Sequence, residues 1–381
     1  MIKNCVATLN IGSKDITLSV GERGVNGAFS FKAVEKVDYY PYFEGEFYDV
    51  KELESKIAFL FDSLIQNSDI SKISTVFVGV PGEFSKVVSK NYRITFSKVK
   101  TITAGDVKYL YNTAYDDDDA EYTLVHQSAV YFVADNYKTH EPIGKKASSL
   151  SARISYGLVI NHFLEVMGNI LTKIGVTKIK YILQSYADAM YLFTIQERDL
   201  VKMLIDIGYS TSTLSIVCGN GLLYSSSFAL GGGMVSAYLS SGLGCDYEIA
   251  DILKEKLNLG LKERESAYYV VSDDGIGDFT FSRNMANKIA KDLLDGIAEN
   301  LDKAVHGCTL KVPSDIENCF TGEGISSVKG DVEYISTRLG VFPKIVCPKI
   351  PHYNKPKHTS RLSLLDTALA VINDKLFFID K

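Results

Sequence analysis

The 381-residue chain has no tryptophan, only eight prolines and six cysteines, and its 41 Lys and Arg are outnumbered by 46 Asp and Glu. The cysteine count and the charge balance each exclude something. Cys5, Cys218, Cys245, Cys308, Cys319 and Cys347 are scattered, with no CxxC pair and no Cys/His cluster. A disulfide framework and a zinc site are therefore not expected, and the thiols read as small apolar groups in a reducing cytoplasm. No run approaches the ~18–20 apolar residues that a bilayer-crossing helix needs. The opening MIKNCVATLNIG enters a strand pattern at once, without the apolar core and cleavage site of a signal peptide. A net charge of −5 argues against a nucleic-acid protein, because the phosphate backbone selects basic faces. What remains is ordinary globular usage, 46% apolar and 23% charged, in a chain long enough for two or more domains.

The chain carries an internal repeat. Cys5–Leu9 runs into Asn10-Ile11-Gly12-Ser13-Lys14, then a strand at Ile16–Val20, a Gly-rich turn and a third strand around Ala28–Val34. Near mid-chain, Lys202–Ile205 runs into Asp206-Ile207-Gly208-Tyr209-Ser210-Thr211, then a strand at Thr213–Val217, the turn Gly219-Asn220-Gly221 and a strand at Leu222–Ala229. Gly12 and Gly208 lie 196 residues apart, about half the chain. Two such meanders at that spacing point to duplicated domains facing each other.

Both halves continue as α/β. Apolar residues at Leu53, Ile57, Leu60, Phe61 and Leu64 predict a helix over Val50–Gln66, and Thr75–Val80 follows as a strand. Further helices are expected at His162–Ile174, Ala187–Phe193, Asp246–Leu257, Arg283–Val305, Asp331–Leu339 and Leu362–Asn373. In Arg283–Val305 the i+4 row Met285, Ile289, Leu293, Ile297 and Leu301 predicts a core-facing stripe. The stretch from Glu83 to Asn161 has no counterpart in the second half. It suggests strands at Val87–Ser89, Arg93–Phe96, Tyr122–Ala134 and Ile154–Ile160, and a helix from Asp106 through Tyr115. The acidic run Asp116–Asp119 lacks the alternating ligands of a calcium loop and reads as a solvated connection, and Lys344–His358 as an irregular one.

A tight turn between antiparallel strands aims backbone N–H groups into the bend, and glycine lets a phosphate approach. Ser13 and Lys14 add a hydroxyl and a cation at the first turn, and Tyr209, Ser210, Thr211 and Ser212 add hydroxyls at the second. The two turns together could clamp one nucleotide's phosphates, with Asp206 holding a water of a hydrated Mg²⁺. Three further motifs suit the same ligand: Gly231-Gly232-Gly233 after a strand, Asp251 and Lys254 one helical turn apart, and Thr321-Gly322-Glu323-Gly324 between strand and helix.

These residues resemble the actin/Hsp70/sugar-kinase ATPase superfamily and, within it, the FtsA family of bacterial cell-division proteins. The family's first phosphate loop matches Asn10–Lys14 and its second Asp206–Thr213. Its Gly-Gly connection matches Gly231-Gly232, its Ala-Glu-x-x-Lys helix Ala250–Lys254, and its Thr-Gly-Gly loop Thr321–Gly324. The insertion matches its distinctive subdomain: Ile102-Thr103-Ala104-Gly105-Asp106-Val107, then His126, Tyr131 and Asp135, then Pro142-Ile143-Gly144. The resemblance implies a duplicated, ribonuclease H-like, two-lobe actin fold of the α/β class with an FtsA-type subdomain inserted in the first lobe. The first-lobe core would be 1–82 and 162–200, the inserted subdomain 83–161, the second-lobe core 201–240 and 310–381, and its subdomain 241–309. His126 would be structural.

The implied ligand is ATP or ADP with Mg²⁺, held by Asn10, Gly12, Ser13, Lys14, Asp206, Gly208, Tyr209, Ser210, Thr211, Gly231, Gly232, Gly233, Asp251, Lys254, Gly322, Glu323 and Gly324. Three departures bear on turnover. Asn10 and Thr213 stand where the family has Asp, and Glu323 where it has Gly. Weak ATP hydrolysis at most is expected, with the nucleotide acting as a structural effector. Implied partners are the C-terminal peptide of the tubulin homologue FtsZ, other division proteins and further copies of the chain. The Arg/Glu pattern sought for FtsZ reads Leu293, Asp295 and Gly296 instead. The chain shows no linker and basic amphipathic tail before Lys381, so contact with the inner face of the membrane at the division site would be indirect or through a tail absent here. Three other readings are a pilus-assembly scaffold that binds a membrane-protein tail, a degenerate FtsA paralogue without nucleotide turnover, and a small-molecule kinase, the last lacking a convincingly placed catalytic Asp.

Overall fold

The computed structural model describes residues 5–24, 29–113, 119–262, 264, 266–273, 277–313, 315–326 and 328–379. These divide into two compact units. The first comprises residues 1–202, 215–226 and 360–381, and the second 203–214 and 227–359.

In the first unit β1 (Cys5–Ile11), β2 (Asp15–Arg23) and β3 (Phe29–Asp38) form the expected meander, with Ile11 opposite Ile16 across the first turn. A small hairpin of β4 (Tyr42–Phe43) and β5 (Glu46–Phe47) precedes α1 (Val50–Gln66). Asp49 caps α1 by accepting from the amides of Lys51 and Glu52, and the apolar row anticipated from the sequence is buried. β6 (Thr75–Val80) lies parallel to β1. The inserted stretch then builds its own layer from β7 (Ser85–Thr101), α2 (Ala104–Thr113), β8 (Tyr122–Ala134), β9 (Tyr137–Thr139) and β10 (Lys146–Ile160), in sheet order β7-β10-β8-β9. The chain returns through α3 (Asn161–Lys173), β11 (Lys178–Leu183), α4 (Gln184–Leu192) and α5 (Ile195–Arg198). The main sheet of this unit is ordered β11-β6-β1-β2-β3. β1 is buried along nearly its whole length, as a central strand covered on both faces must be.

Several expectations shift in detail. The two short strands expected at Val87–Ser89 and Arg93–Phe96 are one continuous strand, because β10 pairs with it from Val159 to Lys146. α2 starts two residues early, where Asp106 accepts from Thr103 N and Oγ1 and closes the turn ahead of the helix. Tyr115 and Asp116–Asp118 lie outside the described residues, while Asp119 pairs with Lys86 at 3.0 Å. His126 is buried, its Nε2 accepting from the Leu183 amide at 3.2 Å and its ring stacked on Phe377 at 4.7 Å. Burial holds its imidazole down to about 3, so it is a neutral structural group.

The second repeat supplies β12 (Lys202–Ile207), β13 (Ser212–Cys218) and β14 (Gly221–Phe228). The β13–β14 turn clusters with the first unit, tied there by Gly219 N donating to Arg198 O at 2.7 Å and Asn220 N to Val130 O at 3.0 Å. Next come α6 (Val235–Leu243), α7 (Tyr247–Lys256), the hairpin β15 (Tyr268–Asp273) and β16 (Gly277–Ser282), and α8 (Arg283–Gly307). β17 (Glu317–Thr321), α9 (Asp331–Leu339), β18 (Pro343–Ile345) and α10 (Thr359–Val371) complete the chain, with α10 grouping almost entirely with the first unit. The second sheet is ordered β14-β13-β12-β17-β18. On α8, Leu293, Ile297 and Leu301 are buried but Met285 is 51% exposed. A strict i+4 row advances about 400° per step and so drifts off the buried face, where Ala286, Ala290 and Leu294 take over. No helix of the described residues is long and apolar enough to cross a membrane.

Candidate functional site

Both glycine turns have the same backbone geometry. Gly12 N donates to Asp15 O at 2.9 Å, and Gly208 N donates to Thr211 O at 2.8 Å. Each leaves two residues at the tip, Ser13-Lys14 in one and Tyr209-Ser210 in the other.

In the second unit the sequence-identified motifs meet. The glycine loop at Gly231–Gly233 packs onto the Gly208 turn so closely that a Cβ at Gly231 would touch the Tyr209 backbone, and one at Gly233 would strike the Tyr209 ring. The Thr321–Gly324 loop closes from another side: a Cβ at Gly322 would collide with the Asp206 carboxylate and the Ile207 carbonyl. Gly322 also has φ +106, a left-handed conformation suited to glycine. Gly324 would meet the Gly208 carbonyl in the same way. The two glycine loops thus pack their backbone directly onto the Gly208 turn, the Tyr209 ring and the Asp206 carboxylate around the end of β12. Glu323 is half-buried in this loop, and Thr321 Oγ1 is hydrogen-bonded to Thr359 Oγ1 at 2.9 Å.

Asp206, next to last on β12, lies beside Gly322, and burial pushes its carboxyl up to about 6. A half-buried carboxylate whose ionisation is opposed by its surroundings gains from a nearby cation. Thr213 shares a 2.8 Å hydrogen bond with Ser227. The Gly231–Gly233 loop feeds α6, whose buried Ser236 donates to Asp251 Oδ1 at 2.5 Å, and Lys254 Nζ reaches the same oxygen at 2.7 Å. The Tyr209 hydroxyl bonds that of Tyr247 at the start of α7, joining turn and helix.

The first turn belongs to the first unit and has a different setting. Asn10, level with Gly79 on β6, donates from Nδ2 to Ser360 Oγ at 3.3 Å. Gln184 Nε2 donates to Asp188 Oδ1, Ser360 O and Ser363 Oγ at 2.9–3.0 Å, and Ser363 Oγ donates to Asp188 at 2.5 Å. Gln184 Oε1 is buried without a partner among the described residues. The sequence reading missed Gln184, Asp188, Ser360 and Ser363, along with Ser236 and Tyr247. A usable signal was the position of Gln184, the first residue after β11 and so at the same C-terminal strand edge as Asn10. No group of three or more His, Cys, Asp or Glu placed to hold a metal occurs among the described residues.

No protein-family model matches the chain. The cell division protein FtsA of Neisseria meningitidis serogroup B is 23% identical over 209 residues, 54% of this chain and 50% of that protein. FtsA of Pseudomonas aeruginosa is 20% identical over 350 residues, 88% of this chain and 82% of that protein. The chain spans only about half the length of the Neisseria protein, and 37% of FtsA from Helicobacter pylori. Among solved structures, the PilM-PilN type IV pilus biogenesis complex superposes with a TM-score of 0.62 at 13% identity, over 96% of this chain and 98% of that one. MreB5 of Spiroplasma citri bound to ADP gives 0.56 at 11% identity over 97% of each chain. The ethanolamine utilization protein EutJ from Carboxydothermus hydrogenoformans gives 0.52 at 12% identity, over 97% and 90%. Taken with the repeated turns, these likenesses make the chain FtsA-like in sequence and actin-like, with two lobes, in fold.

Proposed function

We propose that the chain is a nucleotide-binding, actin-like scaffold of bacterial cell division. In this reading it assembles with itself and links FtsZ filaments to other division proteins, acting in the cytoplasm at the inner face of the membrane at the division site. The observation that carries the reading is the meeting of the Gly208 turn, the Gly231–Gly233 loop and the Thr321–Gly324 loop around Asp206. The FtsA relatives supply its biological setting. The inserted layer at 83–161 would be the FtsA-type subdomain, and 241–309 the subdomain that meets FtsZ.

These residues fit a nucleotide. Backbone amides and small hydroxyls at Gly208–Thr211 suit phosphates, Gly231–Gly233 and Gly322–Gly324 leave room for a flat group, and Lys254 with Asp251 suits ribose hydroxyls. In the first unit, the Gly12 turn with Ser13 and Lys14 offers the same kind of donors and a cation. ADP-bound MreB5, similar in fold, supports this choice. The nucleotide would supply charge for Mg²⁺, whose bound water Asp206 would accept. Asn10 and Thr213 offer no carboxylate to order water around that ion, so turnover is slow or absent and the nucleotide works as a conformational effector.

A second reading is favoured by the PilM-PilN likeness: a pilus-type scaffold that binds a membrane protein's cytoplasmic tail. Two measurements decide. Millimolar Mg-ATP or Mg-ADP should raise the melting temperature by several degrees, and no shift would remove the nucleotide from either reading. Immobilised FtsZ C-terminal peptide should retain the chain. Retention by a membrane protein's tail but not by that peptide would replace the first reading with the second.

A further inference from the structure

The first unit holds another concavity, at the opposite end of the strands that carry Asn10. β1, β6 and β11 run parallel, with Ala7 level with Val76 and Ile179, and Asn10 level with Gly79 and Ile182. Their C-terminal ends carry the amide and hydroxyl cluster. Their N-terminal ends line a cavity of about 520 Å³, within the ~300–1,000 Å³ usual for small-molecule sites.

The lining has two chemistries. Val6, Val20, Ile73 and Phe77 are buried and make an apolar floor. Around it stand Lys32, Lys72, Lys178 and Lys180 against one aspartate, Asp69, in a chain whose net charge is −5. Lys32 is engaged with Glu22 at 2.7 Å, and Lys180 lies 4.0 Å from the centre of the Phe378 ring. Lys72 and Lys178 have no ion-pair partner among the described residues. With Lys32 compensated by Glu22, Lys72, Lys178 and Lys180 still outnumber Asp69 and, beside low-dielectric walls, concentrate positive potential where an apolar group would be covered.

We propose that this cavity binds a small amphipathic anion: an apolar chain or ring system ending in a single carboxylate, sulfonate or phosphate, with Lys72 and Lys178 at the head group. The floor disfavours a polyanion such as a nucleoside triphosphate, whose charges would need water throughout. The lysines are wasted on a neutral lipid. The site is separate from the glycine turns and stands or falls independently of the nucleotide.

The test uses the full chain, with decanoate as probe and 1-decanol as its uncharged counterpart, by calorimetric titration. Decanoate should bind saturably and about tenfold tighter than decanol. The double variant Lys72→Gln/Lys178→Gln, altering two solvent-facing side chains, should lose that preference while leaving decanol binding unchanged. Ile70→Trp, placing a bulky ring at the cavity wall, should abolish binding of both. No saturable decanoate binding, equal affinity for acid and alcohol, or a preference indifferent to the lysine variant would each overturn the proposal. If Ile70→Trp does not fold, the lysine variant alone decides.

Discussion

The Gly12 and Gly208 turns share a backbone and differ in what surrounds it. Each is closed by the same amide-to-carbonyl bond, at 2.9 and 2.8 Å. Around the second, glycine loops press in from two sides and leave no room for a Cβ. A Cβ at either turn glycine would meet only its own turn, Asp15 O at 3.0 Å from Gly12 and Thr211 O at 2.9 Å from Gly208. The residue two places earlier differs too: buried Asn10 joins a network of amides and hydroxyls, whereas Asp206 is a half-buried carboxyl with a raised pKa. The repeat thus keeps a strand-turn-strand backbone in both copies, and what differs is the loops packed around the second.

The largest effect expected from this difference is at Gly322. Gly322→Ala combines a left-handed backbone with a collision against Asp206 and Ile207, so it should cost about 3 kcal/mol or more. Gly12→Ala meets a single 3.0 Å contact and should cost about 1 kcal/mol or less. Urea unfolding of the two variants checks the order, and equal losses would show that the loop packed on the second turn is no tighter than the first turn itself.

The units should also respond to pH with opposite sign. In the first, His126 is 2% exposed and its pKa is lowered to about 3. Between the unfolded value of about 6.5 and pH 3 the unfolded chain binds the extra proton. Stability is therefore lost on acidification, by about 1.4 kcal/mol per pH unit. In the second, Asp331 is 4% exposed at the start of α9, and burial pushes its carboxyl up to about 8. Between about pH 4 and 8 the folded state holds the extra proton, so this contribution is present in acid and lost as pH rises. Asp331→Asn should stabilise the chain at pH 8 and change little at pH 4. His126→Phe should flatten the acid limb, even if the larger ring costs stability at neutral pH. Melting curves from pH 4 to 8 separate the two, and a variant leaving its limb unchanged would show that its residue does not carry that titration.

How much of this was legible follows the reach of each signal. The turns could be read because glycine and its neighbours are local, and Asp251 with Lys254 because an i,i+3 pair is fixed by helix geometry. The extent of β7 could not, since its continuity depends on β10, which begins 45 residues after β7 ends. Gln184 and Ser360 are 176 residues apart, and nothing around either residue announces the other. The same holds for His126 and Phe377, whose stacking joins the inserted layer to the end of the chain. Met285 failed for another reason, because the i+4 rule is local but only approximates a 3.6-residue turn.

The smallest expected effect compares two carboxylates held by serines. Asp188 is 2% exposed, and Ser363 donates to it at 2.5 Å beside Gln184. Asp251 is nearly half exposed on its side chain and keeps the Lys254 ammonium at 2.7 Å even when Ser236 is removed. Water and a cation can replace a lost hydroxyl at Asp251, but the enclosed Asp188 has far less access to either substitute. Ser363→Ala should therefore cost about 2 kcal/mol and Ser236→Ala about 0.5–1 kcal/mol. Urea midpoints at constant slope measure both. Should Ser236→Ala prove the more damaging, the fully buried Ser236 would be acting as a packing post between α6 and α7 rather than as a replaceable donor.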